Sequence, residues 1–141
     1  MTHLLSEIPN KLSPYRINTN DIHSNSIIAI HGFDGHRDNT WTESDSGILW
    51  LRDLLLTDVP NARIFTYGYD AMKHARGPIS QQTIHDISKG LTCDLVWERK
   101  TTKVSSNYHL TFSLAQCRQN ERRPIIFVVH SLGAIILKAV R

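Results

Sequence analysis

Val129-His130-Ser131-Leu132-Gly133 stands where a β-branched run gives way to an apolar stretch, and a serine in that setting has two uses. On a tight strand-to-helix turn its hydroxyl is exposed and can attack a carbonyl, with the following N–H groups close to the helix start. At an ordinary helix start the same hydroxyl caps the first turn. A nucleophile turn is flanked by small residues, written GxSxG, because helix and strand pass closely there. Gly133 fills the second small position, whereas Val129 occupies the first. A valine at a close-packed crossing resembles an overpacking substitution, which costs about 1–3 kcal/mol, and is expected to aim Ser131 poorly.

A carbonyl attacked by a serine also needs N–H donors for the developing oxyanion. His31-Gly32-Phe33-Asp34-Gly35-His36 follows an apolar run and can turn tightly at its glycines, bringing the Phe33 N–H toward Ser131. The second donor is the N–H of Leu132, the residue after the serine. His31, Gly32, Gly35, His130 and Gly133 then support the loop and the turn. The alternative is an ordinary glycine turn carrying two surface histidines. No third ligand stands at suitable spacing from His31 and His36, so no metal site is expected. No GxxxxGK[ST] motif accompanies Gly32 to Gly35, so phosphate binding is a weak reading and no cofactor is expected.

The elements that must position these groups are legible as hydrophobic periods. Ser26 to Ile30, Arg63 to Tyr69 and Pro124 to Val129 are short β-branched or aromatic runs, as expected of strands buried on both faces. Ile48, Leu51, Leu55 and Val59 repeat at helical spacing, with Asp45 or Ser46 placed to cap and Pro60 to stop. Ile84, Ile87, Leu91 and Leu95 repeat the pattern, with Ser80 as the cap and Gly90 as a weak point. Leu132 to Arg141 reads as a third apolar helix. Alternating strands and helices predict an α/β fold of three parallel strands joined by crossover helices. Residues 1–25 are a leader of uncertain structure, 26–141 a partial α/β domain, and 101–120 a candidate insertion, either a surface loop or translated intron. Trp41, Trp50 and Trp97 are expected in the core or a pocket wall. Tyr67 and Tyr69, two apart on one strand, share a face.

Composition sets outer limits. The 141 residues are 40% hydrophobic and 21% charged, a globular balance, and a formal net charge of +3 gives no reason to expect nucleic acid. Two cysteines without a CxxC spacing indicate neither a disulfide framework nor a zinc site and fit an intracellular, cytoplasmic setting. No stretch approaches the roughly 18 apolar residues of a membrane span, which leaves peripheral contact as the only expected membrane association.

Taken in order, these motifs resemble the lipase-like and serine esterase-like α/β-hydrolase domains of fungal proteins, relatives of the serine-active-site-containing protein family. Residues 28–36 (IAIHGFDGH) resemble the HGxxGH loop of that family. Thr40-Trp41-Thr42, Trp50 to Asp53, Asn61 to Ala71 and Arg123 to Gly133 follow in the family's order, so the resemblance spans most of residues 27–140. It implies the N-terminal half of an α/β-hydrolase fold, with Ser131 as nucleophile and the loop after His31 as oxyanion loop. The substrate implied is a small-molecule carboxylic ester or lipid. Mitochondrial or endoplasmic-reticulum membrane association is implied as well.

The acid and histidine of such a triad come after the serine in chain order. Ten residues follow Ser131 here, and none is Asp, Glu or His. The chain is therefore expected to be a fragment, impaired as an enzyme, with an open sheet edge beyond its last strand. The competing expectation is a non-catalytic sensing or interaction module, since the domains it resembles often precede nucleotide-binding and repeat domains.

Overall fold

Residues 11–16, 25–70, 81–101 and 123–140 are described by a computed structural model of the chain. Its centre is a four-stranded sheet. Strand β1 comprises Lys11–Arg16, β2 Ser26–Ile30, β3 Arg63–Gly68 and β4 Ile125–Val129, in the spatial order β1-β3-β2-β4. The three β-branched runs form parallel strands, with β2 between β3 and β4. The leader supplies a fourth, β1, antiparallel to β3 with an irregularity between Pro14 and Arg16. The sheet thus has four strands where three were expected, and residues 11–16 belong to it. Proline cannot donate to a ladder, so Pro14 suits only an edge strand, which is the place β1 takes.

The pleat sorts the core onto two faces. Ile28 and Ile30 of β2 join Phe65 and Tyr67 of β3 on one face, against Ile87, Leu91 and Ile136. Ile27 and Ala29 join Ile64 on the other, against Trp41, Leu49 and Leu51. The first face is covered by two helices, α3 (Gln81–Thr101) and α4 (Leu132–Ala139). Helix α3 runs through Gly90 without a break, because Ile84, Ile87, Leu91 and Leu95 keep one apolar stripe against the sheet. Polar groups pin these layers together. The Tyr67 hydroxyl donates to Ile87 O at 2.9 Å, the Leu12 N–H donates to the Asp94 carboxylate at 2.8 Å, and the Ser88 hydroxyl lies 3.0 Å from Ile136 O.

The second face is covered less regularly. A 3-10 turn over Asn39–Trp41 leads to two one-turn helices, α1 (Trp50–Asp53) and α2 (Leu55–Asp58), where one continuous helix was expected. Asp45 and Ser46 do not cap it. Their N–H groups turn back onto the Glu43 carboxylate at 3.1 and 2.7 Å, and the Asp53 carboxylate takes the Leu49 N–H instead. Trp41 is buried with Trp50 at its edge, 6.2 Å between ring centroids, as a pocket-wall or core role requires. Trp97 departs from that expectation and is 66% exposed on α3.

No helix among the described residues is long and apolar enough to cross a membrane, and no described group of His, Cys, Asp and Glu could hold a metal ion. The Ser80 cap and most of the candidate insertion, 102–120, lie outside the described residues. Leu91, fully buried between α3 and the sheet, measures the main core. Leu91→Ala is expected to lower stability by about 2–5 kcal/mol in urea denaturation, against under about 0.5 kcal/mol for Val96→Ala, which is 46% exposed on the same helix.

Candidate functional site

Two loops leave the sheet side by side. Ile30 pairs with Val129 at the ends of β2 and β4, and the His130 N–H donates to Ile30 O at 3.0 Å. His31-Gly32 and His130-Ser131 are consequently neighbours. The approach is so close that a Cβ on Gly32 would stand 2.8 Å from His130 Nδ1 and 3.0 Å from the Ser131 Cβ. A Cβ on Gly133 would stand 2.5 Å from Ile30 O and 2.8 Å from His31 O. The Gly133 contact, with backbone on its far side, excludes any residue but glycine, whereas a side chain at Gly32 would have to displace the His130 ring. The Gly133 contact is the helix-on-strand crossing for which the second glycine of GxSxG exists.

Ser131 forms the turn itself. Its φ of 50° and ψ of −118° make it the only described non-glycine residue with positive φ. The Gly133 N–H reaches His130 O at 2.9 Å, and the Ala134 N–H reaches Ser131 O at 3.0 Å. Backbone in so sparse a region costs about 1–3 kcal/mol and persists only where its surroundings enforce it. The serine is exposed, and its hydroxyl makes no capping hydrogen bond to α4, so the ordinary helix-cap alternative does not hold. Val129 does not crowd the turn as expected. It is 37% exposed, and the atoms nearest a Cβ on Gly133 belong to the Ile30 and His31 carbonyls rather than to Val129.

The facing loop is braced from beneath. His31 is buried and stacks on Tyr69, with 4.1 Å between centroids and 5° between planes. Its Nδ1 donates to Gly32 O at 2.8 Å and its Nε2 accepts the Tyr69 N–H at 3.4 Å, which one neutral tautomer satisfies. Burial holds its pKa below the ordinary imidazole value. The Tyr69 hydroxyl donates to His31 O at 2.7 Å, and burial pushes that phenol's pKa up. His31 is therefore a neutral fixture of the loop and not a surface histidine. Gly35 continues the tight path, since a Cβ there would stand 2.7 Å from Thr40 Oγ1 and 3.0 Å from the His31 Cβ.

A second brace comes from β1. The Tyr15 hydroxyl donates to the Asp38 carboxylate, Arg37 Nε donates to it at 3.3 Å, and Arg37 also donates to Ser13 Oγ at 2.8 Å. Burial, with Asp38 second, raises the Tyr15 pKa to about 12. Tyr69, Tyr15, Ser13, Arg37 and Asp38 were missed as supports. For Tyr69 a signal existed, since the residue after a strand shared with Tyr67 lies at the loop-bearing end of the sheet.

Phe33, 42% exposed, follows Gly32, and Leu132 opens α4. Neither N–H has an acceptor among the described residues, which for Leu132 is the ordinary state of the first N–H of a helix. Described histidines are otherwise occupied or distant in role. The Asp38 N–H donates to His36 Nδ1 at 3.2 Å, His85 is exposed on α3, and His130 packs over Gly32. None is hydrogen-bonded to Ser131 among the described residues, and His74 and His109 lie outside them.

Comparison of the chain with protein-family models, with curated proteins and with solved structures returns no match. Strain at Ser131 is directly measurable. Ser131→Gly is expected to be more stable than Ser131→Ala by about 1 kcal/mol in urea denaturation, because glycine adopts positive φ freely. Equal stabilities would mean that the turn is relaxed.

Proposed function

We propose that this chain carries the nucleophile turn and oxyanion loop of a serine hydrolase acting on carboxylic esters, lipids among them, in the manner of the fungal lipase-like and serine esterase-like domains it resembles. The observation that carries the reading is the strained, uncapped Ser131 beside the Gly32 loop. Ser131 attacks the ester carbonyl, and the Phe33 and Leu132 N–H groups hold the resulting oxyanion. Gly133 and Gly32 supply the close approaches, and His31 with Tyr69 fixes the loop. The sheet of three parallel strands with one antiparallel edge is compatible with an α/β-hydrolase domain, in which acid and histidine come after the serine in chain order. An intracellular protein whose membrane contact is peripheral completes the proposal.

The described residues put no proton acceptor on Ser131, and that favours a second reading, a non-catalytic sensing or interaction module built on a hydrolase frame. The two part at a single reaction. Oxyanion donors and binding alone retain roughly 10³–10⁴-fold acceleration when triad members are absent. The 141-residue chain incubated with a fluorophosphonate probe should therefore label slowly, and Ser131→Ala should not label at all. Labelling that survives Ser131→Ala would remove the serine from the chemistry. A folded chain that stays unlabelled would favour the non-catalytic module.

A further inference from the structure

Three donors surround the carbonyl of Gly32. His31 Nδ1 donates to it at 2.8 Å, the Gly35 N–H donates at 3.3 Å, and the Tyr69 hydroxyl stands 3.3 Å away. The same hydroxyl donates to His31 O, one peptide earlier, at 2.7 Å. Two consecutive carbonyls are therefore turned onto one phenol. Tyr69 is itself well fixed, being buried with its ring flat against the His31 imidazole.

A trans peptide is planar and points its C=O and N–H in opposite directions, and no peptide among the described residues is cis. The plane that carries Gly32 O also carries the Phe33 N–H. With the carbonyl held on the phenol's side, that N–H has to leave on the other. Strand order tells which flank this is. Tyr69 follows β3 and Ser131 follows β4, and those strands border β2 on opposite sides. Away from the phenol is thus toward the serine, whose Cβ would stand 3.0 Å from a Cβ placed on Gly32.

We infer that Tyr69 is a positioning residue for the oxyanion donor. By gripping the His31 and Gly32 carbonyls its hydroxyl aims the Phe33 N–H at the space over Ser131. The chemistry rests on the serine hydrolase reading, whereas the direction of the amide stands without it. Tyr67 supplies the comparison. It lies two residues earlier, is buried as well, and donates its hydroxyl to Ile87 O on α3 instead of to the loop. Removing either hydroxyl weakens the core, but only removal of the Tyr69 hydroxyl releases the peptide that carries the donor.

Tyr69→Phe and Tyr67→Phe, made in the 141-residue chain, separate aim from stability. Both should fold with lowered urea midpoints. In Tyr69→Phe alone the Phe33 amide resonance should move, and the maximal rate of fluorophosphonate labelling should fall roughly tenfold at an unchanged half-saturating probe concentration. Equal effects in the two variants, or a Phe33 amide that does not move in Tyr69→Phe, would overturn the inference. A parent chain that does not label at all removes the hydrolase reading instead, and the amide resonance still decides the aim. Should Tyr69→Phe fail to fold, proton–proton NMR contacts in the parent decide. The Phe33 amide proton should show contacts to the Ser131 Cβ protons and none to the Tyr69 ring, and the reverse pattern refutes the inference.

Discussion

Ile30 and Val129 lie side by side at the ends of two parallel strands, and the loops that leave them are forced into contact. Everything at the candidate site follows from that register. A shift of one residue would turn the hydrophobic faces of β4 inside out. A shift of two would carry Ser131 about 7 Å from Gly32, too far for a shared ligand. The register is held by the hydrogen bond from His130 to Ile30 and by Gly133, whose lack of a side chain lets α4 lie on the Ile30 carbonyl. Sheet pairing thus becomes site geometry through two backbone contacts.

Such closeness needs rigid walls. Ser131 holds an unfavourable backbone conformation, and a loose neighbourhood would let it relax. The walls come from His31 stacked on Tyr69 and from the Tyr15, Asp38 and Arg37 network that ties the loop to β1. Both braces are polar groups whose hydrogen bonds are satisfied where they are buried. In the proposed hydrolase reading, the Phe33 N–H on a loop braced in this way would not have to reorganise as charge develops on a bound carbonyl. The outer edge of β4 is less finished. Ile126 is 51% exposed, Ile135 on α4 is 53% exposed, and no described strand pairs beyond them.

The β-branched runs were legible in the sequence because strands buried on both faces allow little else, and the two longer helices because their apolar stripes repeat faithfully. Ser131, Gly133 and Gly32 were legible as a pattern of small and nucleophilic residues at strand ends. What escaped notice depends on partners distant in the chain. Strand β1 carries Pro14 and shows no clear alternation, so its membership of the sheet is decided by pairing with β3 rather than by its own residues. The division of the 48–59 helix at Leu54 leaves every apolar position in place and so leaves no periodic signature. Val129 was expected to crowd the turn because the local motif says nothing about which side of the strand is open. Arg123 looks like a surface residue beside Arg122, and its burial is visible only once α3 is laid over the strand entries.

The central claim is that Ser131 and the Gly32 loop form one pocket for an oxyanion. A crystal structure of the chain after reaction with a small phosphonate tests it most directly. Phosphorus is expected on Ser131 Oγ, with positive φ retained at that residue and a phosphonyl oxygen about 3 Å from both the Phe33 and Leu132 nitrogens. An adduct whose oxygen points away from those two N–H groups, or a Ser131 that has relaxed to negative φ, would contradict it.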